Sequence, residues 1–199
     1  ASFLARNIGA QIIKRITITC GSQKIQEYSG KYILAMAQRD FSAKKMELFN
    51  KMIGHVPELY DPANSGARVN AYPSAFYTSN PLGAQPSIEG YNLCIPIGSW
   101  FSLISSQAFP LASMQGNELK IHVTLRPIAE WYTVRDVTDH ENNYPIVYPN
   151  QNQPHMQFHR FLQTPPAVDL QITSYNDTRV NWSSDIHLNC TYCFLSNDE

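Results

Sequence analysis

Residues 119–125 alternate without a break. Leu119, Ile121, Val123 and Leu125 fall on one side of an extended chain, while Lys120, His122 and Thr124, with Glu118 ahead of them, fall on the other. A period of two belongs to a strand with one face on a core and one in water. The chain must therefore build a sheet with a wet face. Gly116-Asn117 just before this run is a turn pair, and Pro110 suits an edge or a corner better than a central strand. The wider stretch from 93 to 125 reads as strand, bend, strand.

The same period recurs along the chain. In residues 12–20, Ile12, Ile16, Ile18 and Cys20 share one face, with Lys14 the exception, and Arg15, Thr17 and Thr19 share the other. Gly21-Ser22 supplies a turn, and residues 23–28 can run back as a partner. From Ser29 the spacing becomes helical, through Tyr32, Ile33, Met36 and Ala37. Ser42 is the expected N-cap of a second helix whose apolar stripe is Met46, Phe49 and Ile53 and whose stop is Gly54. Lys44, Lys45 and Lys51 lie mainly off that stripe and read as a solvated face. Further strands are expected at 75–78, 131–134, 168–173 and 186–194. Residues 57–87 and 136–166 are Pro-rich, and the second stretch is too long for an ordinary connection, so it reads as a functional or partner-contacting loop. The pattern predicts an all-β fold, an antiparallel β-sandwich of jelly-roll type with long loop insertions and one or two short helices.

Composition excludes several functions. With 43% apolar residues among 199, the chain can bury a core within one domain. A net charge of -1 provides no basic field for a phosphate backbone, so direct nucleic-acid binding is not expected. No apolar run approaches the roughly 20 residues that span a bilayer, so neither is membrane insertion. Cys20, Cys94, Cys190 and Cys193 are expected to be mainly buried thiols, because the C-x-x-C at 190 and 193 lacks a second ligand pair. His155 and His159 have zinc-helix spacing, but Met156 stands where the metalloprotease motif needs glutamate. His122 and His187 fall on polar strand faces. Ser99, Ser105 and Ser106 sit in no nucleophile elbow, there is no phosphate-cradling glycine loop, and Asp136, Asp139 and Glu141 read as a solvated loop. No catalytic residue, cofactor or metal site is predicted. The sequons at Asn176, Asn181 and Asn189 read as chance matches. Tyr144, Tyr148, Phe158 and Phe161, in the 136–166 loop, are the interface candidates: such rings either pack on their own sheet or meet a partner.

Several motifs together resemble the major capsid proteins of nucleocytoplasmic large DNA viruses. Residues 93–101 (LCIPIGSWF), 108–111 (AFPL) and 117–126 (NELKIHVTLR) are similar to an apolar strand with an aromatic pair, a loop and a following strand of that family's first jelly roll. The opening IIKRITITCGSQKI, then Tyr28-Ser29-Gly30 and Tyr32, resembles the family's start, and CTYCFLSNDE resembles the last strand of its first barrel. Cys20-Gly21 departs from the family's glycine pair, and Gln115-Gly116 stands where an aromatic is common.

The resemblance implies a double jelly roll of which residues 1–199 are most of the first. The chain opens on Ala1 without an initiator Met and stops after a strand-like run, so it is read as a fragment lacking its first strand and the following second jelly roll. It implies a structural protein, not an enzyme. Its partners would be two further copies in a homotrimeric capsomer, neighbouring capsomers and minor capsid proteins. Its location would be the virion, with assembly in the host cytoplasm. The rival expectation is a carbohydrate-binding jelly roll that offers Trp131, Tyr132 or Trp182 to a sugar.

Overall fold

A computed structural model of the chain describes residues 2–66, 86–104, 106–114, 116–164, 166, 178–180 and 184–194. In order, its elements are β1 (Ser2–Leu4), α1 (Ile8–Gln11), β2 (Ile13–Cys20), β3 (Gln23–Tyr28), α2 (Gly30–Asp40), α3 (Ala43–Met52), α4 (Pro57–Tyr60), β4 (Leu119–Leu125), β5 (Tyr132–Arg135), β6 (Ile146–Val147) and α5 (His159–Leu162). They form two three-stranded antiparallel sheets, ordered β1-β5-β6 and β3-β2-β4. The described fold is thus mixed, with more helix than an all-β sandwich. The strands expected at 75–78 and 168–173 lie outside the described residues.

β2 explains why the alternation stumbles at Lys14. Ile13 pairs with Leu125 and Arg15 with Thr124, so Lys14 is the extra residue of a bulge. The extra residue lets Ile13, three positions before Ile16, return to the core side. Ile16 and Ile18 are fully buried there, and Lys14 stays exposed. On the other edge, β3 follows a two-residue turn in which Gly21 takes a left-handed φ of 59°, a conformation with no steric penalty for glycine.

The helices close over this sheet. Ser42 caps α3 by accepting from the Lys45 N–H at 3.4 Å. The far end is a Schellman cap: Gly54, at φ 76°, donates to the Lys51 carbonyl, and His55 donates to that of Asn50. Ile33 and Ala37 of α2 and Phe49 of α3, with Ile53 just beyond it, pack on Ile13, Ile16, Ile18 and Tyr28. The lysines stay outside this core. Lys51 pairs with Glu47 at 3.0 Å and Lys45 lies over the Phe41 ring at 4.1 Å.

A second core lies under β1, β5 and β6 and gathers Leu4, Ile8, Leu59, Ile88, Tyr132, Val134, Met156 and Phe158. Ile12 touches both cores and joins them.

Four expectations need correction. Residues 93–97 are apolar and half-buried in part, but form no strand ladder; Cys94 instead donates its N–H to the Met52 carbonyl. Residues 184–194 also form no ladder, and their side chains are exposed, Phe194 at 93%. Consequently Cys190 and Cys193 are exposed thiols, as is Cys94, whereas Cys20 is half-buried with its Sγ 3.6 Å from the Met114 sulfur. Finally, Val123 is 48% exposed, because β4 is an edge strand whose core-facing contacts come from Leu119, Ile121 and Leu125.

Gly30 is the tightest point of the assembly, since any Cβ there would run into the Ala10 backbone carbonyl. Gly30→Ala is expected to cost about 3 kcal/mol by overpacking. Gly90→Ala, with open space around it, should stay within about 0.5 kcal/mol of the parent in a urea melt.

Tyr28 gives a pH test of the same core. Its hydroxyl donates to the Ile97 carbonyl, and burial, with the Tyr32 phenol beside it, pushes its pKa from 10 up to about 12. The folded state thus holds the proton more tightly than the unfolded chain. The corresponding stability is fully present below pH 10 and lost as pH rises through about 12. A phenolate absorbance titration should show one tyrosine ionising near 12, and Tyr28→Phe should remove that step.

Candidate functional site

Among the described residues there is no group of three or more His, Cys, Asp or Glu side chains able to hold a metal. His159 instead hydrogen-bonds through Nε2 to the Arg179 carbonyl at 2.9 Å, while Arg179 donates to the Arg160 carbonyl at 2.7 Å. His155 lies in a one-turn 3-10 segment. Among the described residues, no helix is long and apolar enough to cross a membrane.

The loop carboxylates are turn formers. Asp136 accepts from the Thr138 N–H at 2.9 Å and from its hydroxyl at 2.6 Å, and Asp139 accepts from Asn142 through both its N–H and its side-chain amide. Asn143 and Tyr144 follow in the left-handed region, at φ 58° and 55°, which for a tyrosine carries strain. The loop base closes over them, with the Asp136 N–H on the Pro145 carbonyl and the Arg135 guanidinium on the Tyr144 carbonyl at 3.0 Å. The chain then returns as β6.

This geometry divides the four aromatic candidates. Phe158 is buried, with its ring 4.9 Å from that of Tyr132, and Phe161 packs edge-on to Tyr132 at 6.1 Å. Tyr144 and Tyr148 point outward, 43% and 74% exposed. Ile146 stands between them, two residues from each, and is also exposed, while Val147 packs into the core beneath. The loop therefore exposes Tyr144 and Tyr148 on either side of β6, whose Ile146 is exposed and whose Val147 is anchored.

The same core removes the rings proposed for a sugar. Tyr132 is buried, its hydroxyl donating to the Met156 carbonyl at 2.7 Å and accepting from Gln151 at 2.8 Å, and burial holds its phenol above the usual range. Trp131 is half-buried, donates Nε1–H to the Arg126 carbonyl and meets the Phe158 ring edge-on. Tyr132 thus presents no open ring to a ligand, and Trp131 is covered in part. Trp182 lies outside the described residues.

Sequence reasoning missed a second exposed apolar set: Trp100, Leu103, Ile104 and Leu111, which are 42–56% exposed. The signal available in the sequence was charge. No Asp, Glu, Lys or Arg occurs between Glu89 and Glu118.

Residues 2–161 match the family model described as Major capsid protein N-terminus. Among individual proteins, the chain is 28% identical over 129 residues to the "Probable capsid protein 4" of Acanthamoeba polyphaga mimivirus, a match covering 65% of this chain and 20% of that protein. It is 26% identical over 125 residues to the "Major capsid protein" of Chrysochromulina ericina virus, covering 61% of this chain and 21% of the relative. It is also 26% identical over 121 residues to the "Major capsid protein" of Frog virus 3, covering 59% and 22%. The matched stretch thus spans about a fifth of these curated relatives. No solved structure matches.

The Asp136 turn offers a direct check of the loop geometry. Hydrogen bonds from the Thr138 hydroxyl and then its N–H hold the Asp136 carboxyl below its ordinary pKa of 3.8. A depressed folded pKa contributes stability that is present above 3.8 and lost as pH falls through the folded value. In a carboxyl-carbon NMR titration, Thr138→Val is expected to move the Asp136 midpoint up towards the ordinary value.

Proposed function

This chain belongs to the major capsid protein N-terminus family, a structural and non-enzymatic family of the virion, and on that premise we propose that it is a shell-building unit acting in trimers. In this reading, residues 1–199 form most of the first of two tandem jelly rolls. Three chains give six barrels in a pseudo-hexagonal capsomer, and capsomers tile an icosahedral shell assembled in the host cytoplasm. The observation that carries the reading is the family match across residues 2–161, which takes in both sheets and both cores. No reacting residue is required.

The physical chemistry is compatible with that role. A net charge of -1 lets copies approach without strong mutual repulsion. Tyr144, Ile146 and Tyr148 offer large side chains on a loop already fixed by its own hydrogen bonds, so little order remains to be imposed when a partner docks. Tyr144 and Tyr148 are the proposed contacts between copies. Phe158 and Phe161 would support them indirectly, by holding the loop on Tyr132.

The test is the native mass of the full-length protein by light scattering, with negative-stain images of the same peak. A trimer of hexagonal outline is the expected outcome, and a stable monomer at all concentrations would rule the reading out. Tyr148→Ala is expected to keep the melting behaviour within about 0.5 kcal/mol. It should raise the concentration needed for trimers about tenfold, equivalent to about 1.4 kcal/mol.

A further inference from the structure

We infer that Cys20 and Met114 form a binding site for a soft monovalent metal ion such as Cu(I), at the end of the β2–β3 hairpin. The inference goes beyond the capsid reading and does not depend on it.

The two sulfurs come from stretches 94 residues apart in sequence and meet at 3.6 Å. Backbone hydrogen bonds hold both residues in place. Cys20 is the last residue of β2, paired with Gln23 on β3 and Leu119 on β4, and Gly21 after it donates to the Glu118 carbonyl at 3.0 Å. Met114 donates its N–H to the Leu111 carbonyl and accepts from the Asn117 N–H, each at 3.1 Å, in the turn that leads into β4. Both residues are half-buried, so the pair is reachable from solvent.

The Cys20 thiol donates a weak hydrogen bond to the Met114 thioether. The same arrangement is a pair of soft donors. An ion with metal–sulfur bonds of about 2.3 Å to each would see the two sulfurs about 100° apart, near the tetrahedral angle, which leaves a third position for an outside donor. The backbone need not move to admit it.

Ligand chemistry selects the ion. Thiolate and thioether sulfur favour Cu(I), whereas magnesium, calcium and manganese take oxygen donors. A structural zinc ion takes four protein ligands, and among the described residues no group of three or more His, Cys, Asp or Glu exists to supply them. On binding, the Cys20 S–H proton leaves to solvent, a copper–thiolate bond forms, and the Met114 sulfur donates a lone pair. Copper enters and stays as Cu(I), so nothing is oxidised or reduced. The bound ion would tie the end of the hairpin to the turn before β4.

Cys94, Cys190 and Cys193 are exposed thiols that also take soft metals, so the readout must belong to this pair. The full-length protein, isotope-labelled at its methionine methyls, is titrated without oxygen with Cu(I) buffered by bicinchoninate, and Met114→Leu assigns the Met114 signal. That signal is expected to shift in the parent, and Cys20→Ser should raise the free Cu(I) needed for the shift by about tenfold or more. A second readout is alkylation of Cys20 by iodoacetamide, mapped by mass spectrometry. Cu(I) should protect the thiol in the parent, and Met114→Leu should need about tenfold more free Cu(I) for equal protection. A Met114 methyl that stays still while Cu(I) is taken up overturns the inference and leaves the pair as a sulfur contact only. Protection of Cys20 at the parental Cu(I) level in Met114→Leu overturns it too, because the thiol then acts without the thioether.

Discussion

The larger sheet and the helices on it depend on β2 being paired along both edges. It hydrogen-bonds to β3 on one side and β4 on the other, and its buried side chains are the floor on which two helices rest. A central strand satisfies its backbone groups within the sheet, which is what allows Ile16 and Ile18 to lose all contact with water. Each fully buried isoleucine contributes about 1.5–3 kcal/mol of apolar burial, but only because no backbone donor or acceptor is stranded beside it. The Lys14 bulge belongs to this arrangement. If Lys14 were held in a regular ladder instead of a bulge, Ile13 would turn to the wet face and the strand would deliver one less side chain to the core.

The second core is held in a different way. Its strands are short, three, four and two residues long, and could not carry a sheet by pairing alone. Tyr132 supplies the missing cohesion. Its ring meets Phe158 and Phe161, its hydroxyl meets the Met156 carbonyl and the Gln151 amide, and all four partners come from residues 151–161. A single buried tyrosine thus converts a Pro-rich connection into an ordered layer. Arg179 extends the tie by donating to the Arg160 carbonyl, with His159 returning a bond to the Arg179 carbonyl.

Local signals were legible because their causes are local. Ser42 and Gly54 could be read as the two ends of α3, since capping needs only a side-chain oxygen or a left-handed residue at the right position. β2 and β4 could be read from alternation and β3 from the turn before it, β5 was expected at 131–134, and the family resemblance came from short motifs in order, consistent with the match over residues 2–161. What could not be read depends on distant partners. Phe158 looked like a loop aromatic because nothing near it in sequence announces Tyr132. Val123 fits the alternation as well as Ile121 does, yet an edge strand leaves it half in water. The run from Ile186 to Phe194 has the pattern of a strand, but pattern supplies only one side of a ladder. Cys190 was expected to be buried on the strength of that pattern and is exposed for the same reason.

A wall protein has no need of a cleft, and its function is correspondingly harder to see in side-chain chemistry than that of an enzyme. What it needs is surface that is apolar enough to associate and ordered enough that association costs little entropy. The 136–148 loop meets both conditions, ordered as it is by aspartate turns and a pair of left-handed residues. It exposes only a few large side chains, which keeps it alone below the area of a stable interface. In the shell proposed above such weakness would be useful, since contacts that are individually reversible would let misplaced copies leave, whereas the sum over many neighbours would hold a finished lattice together.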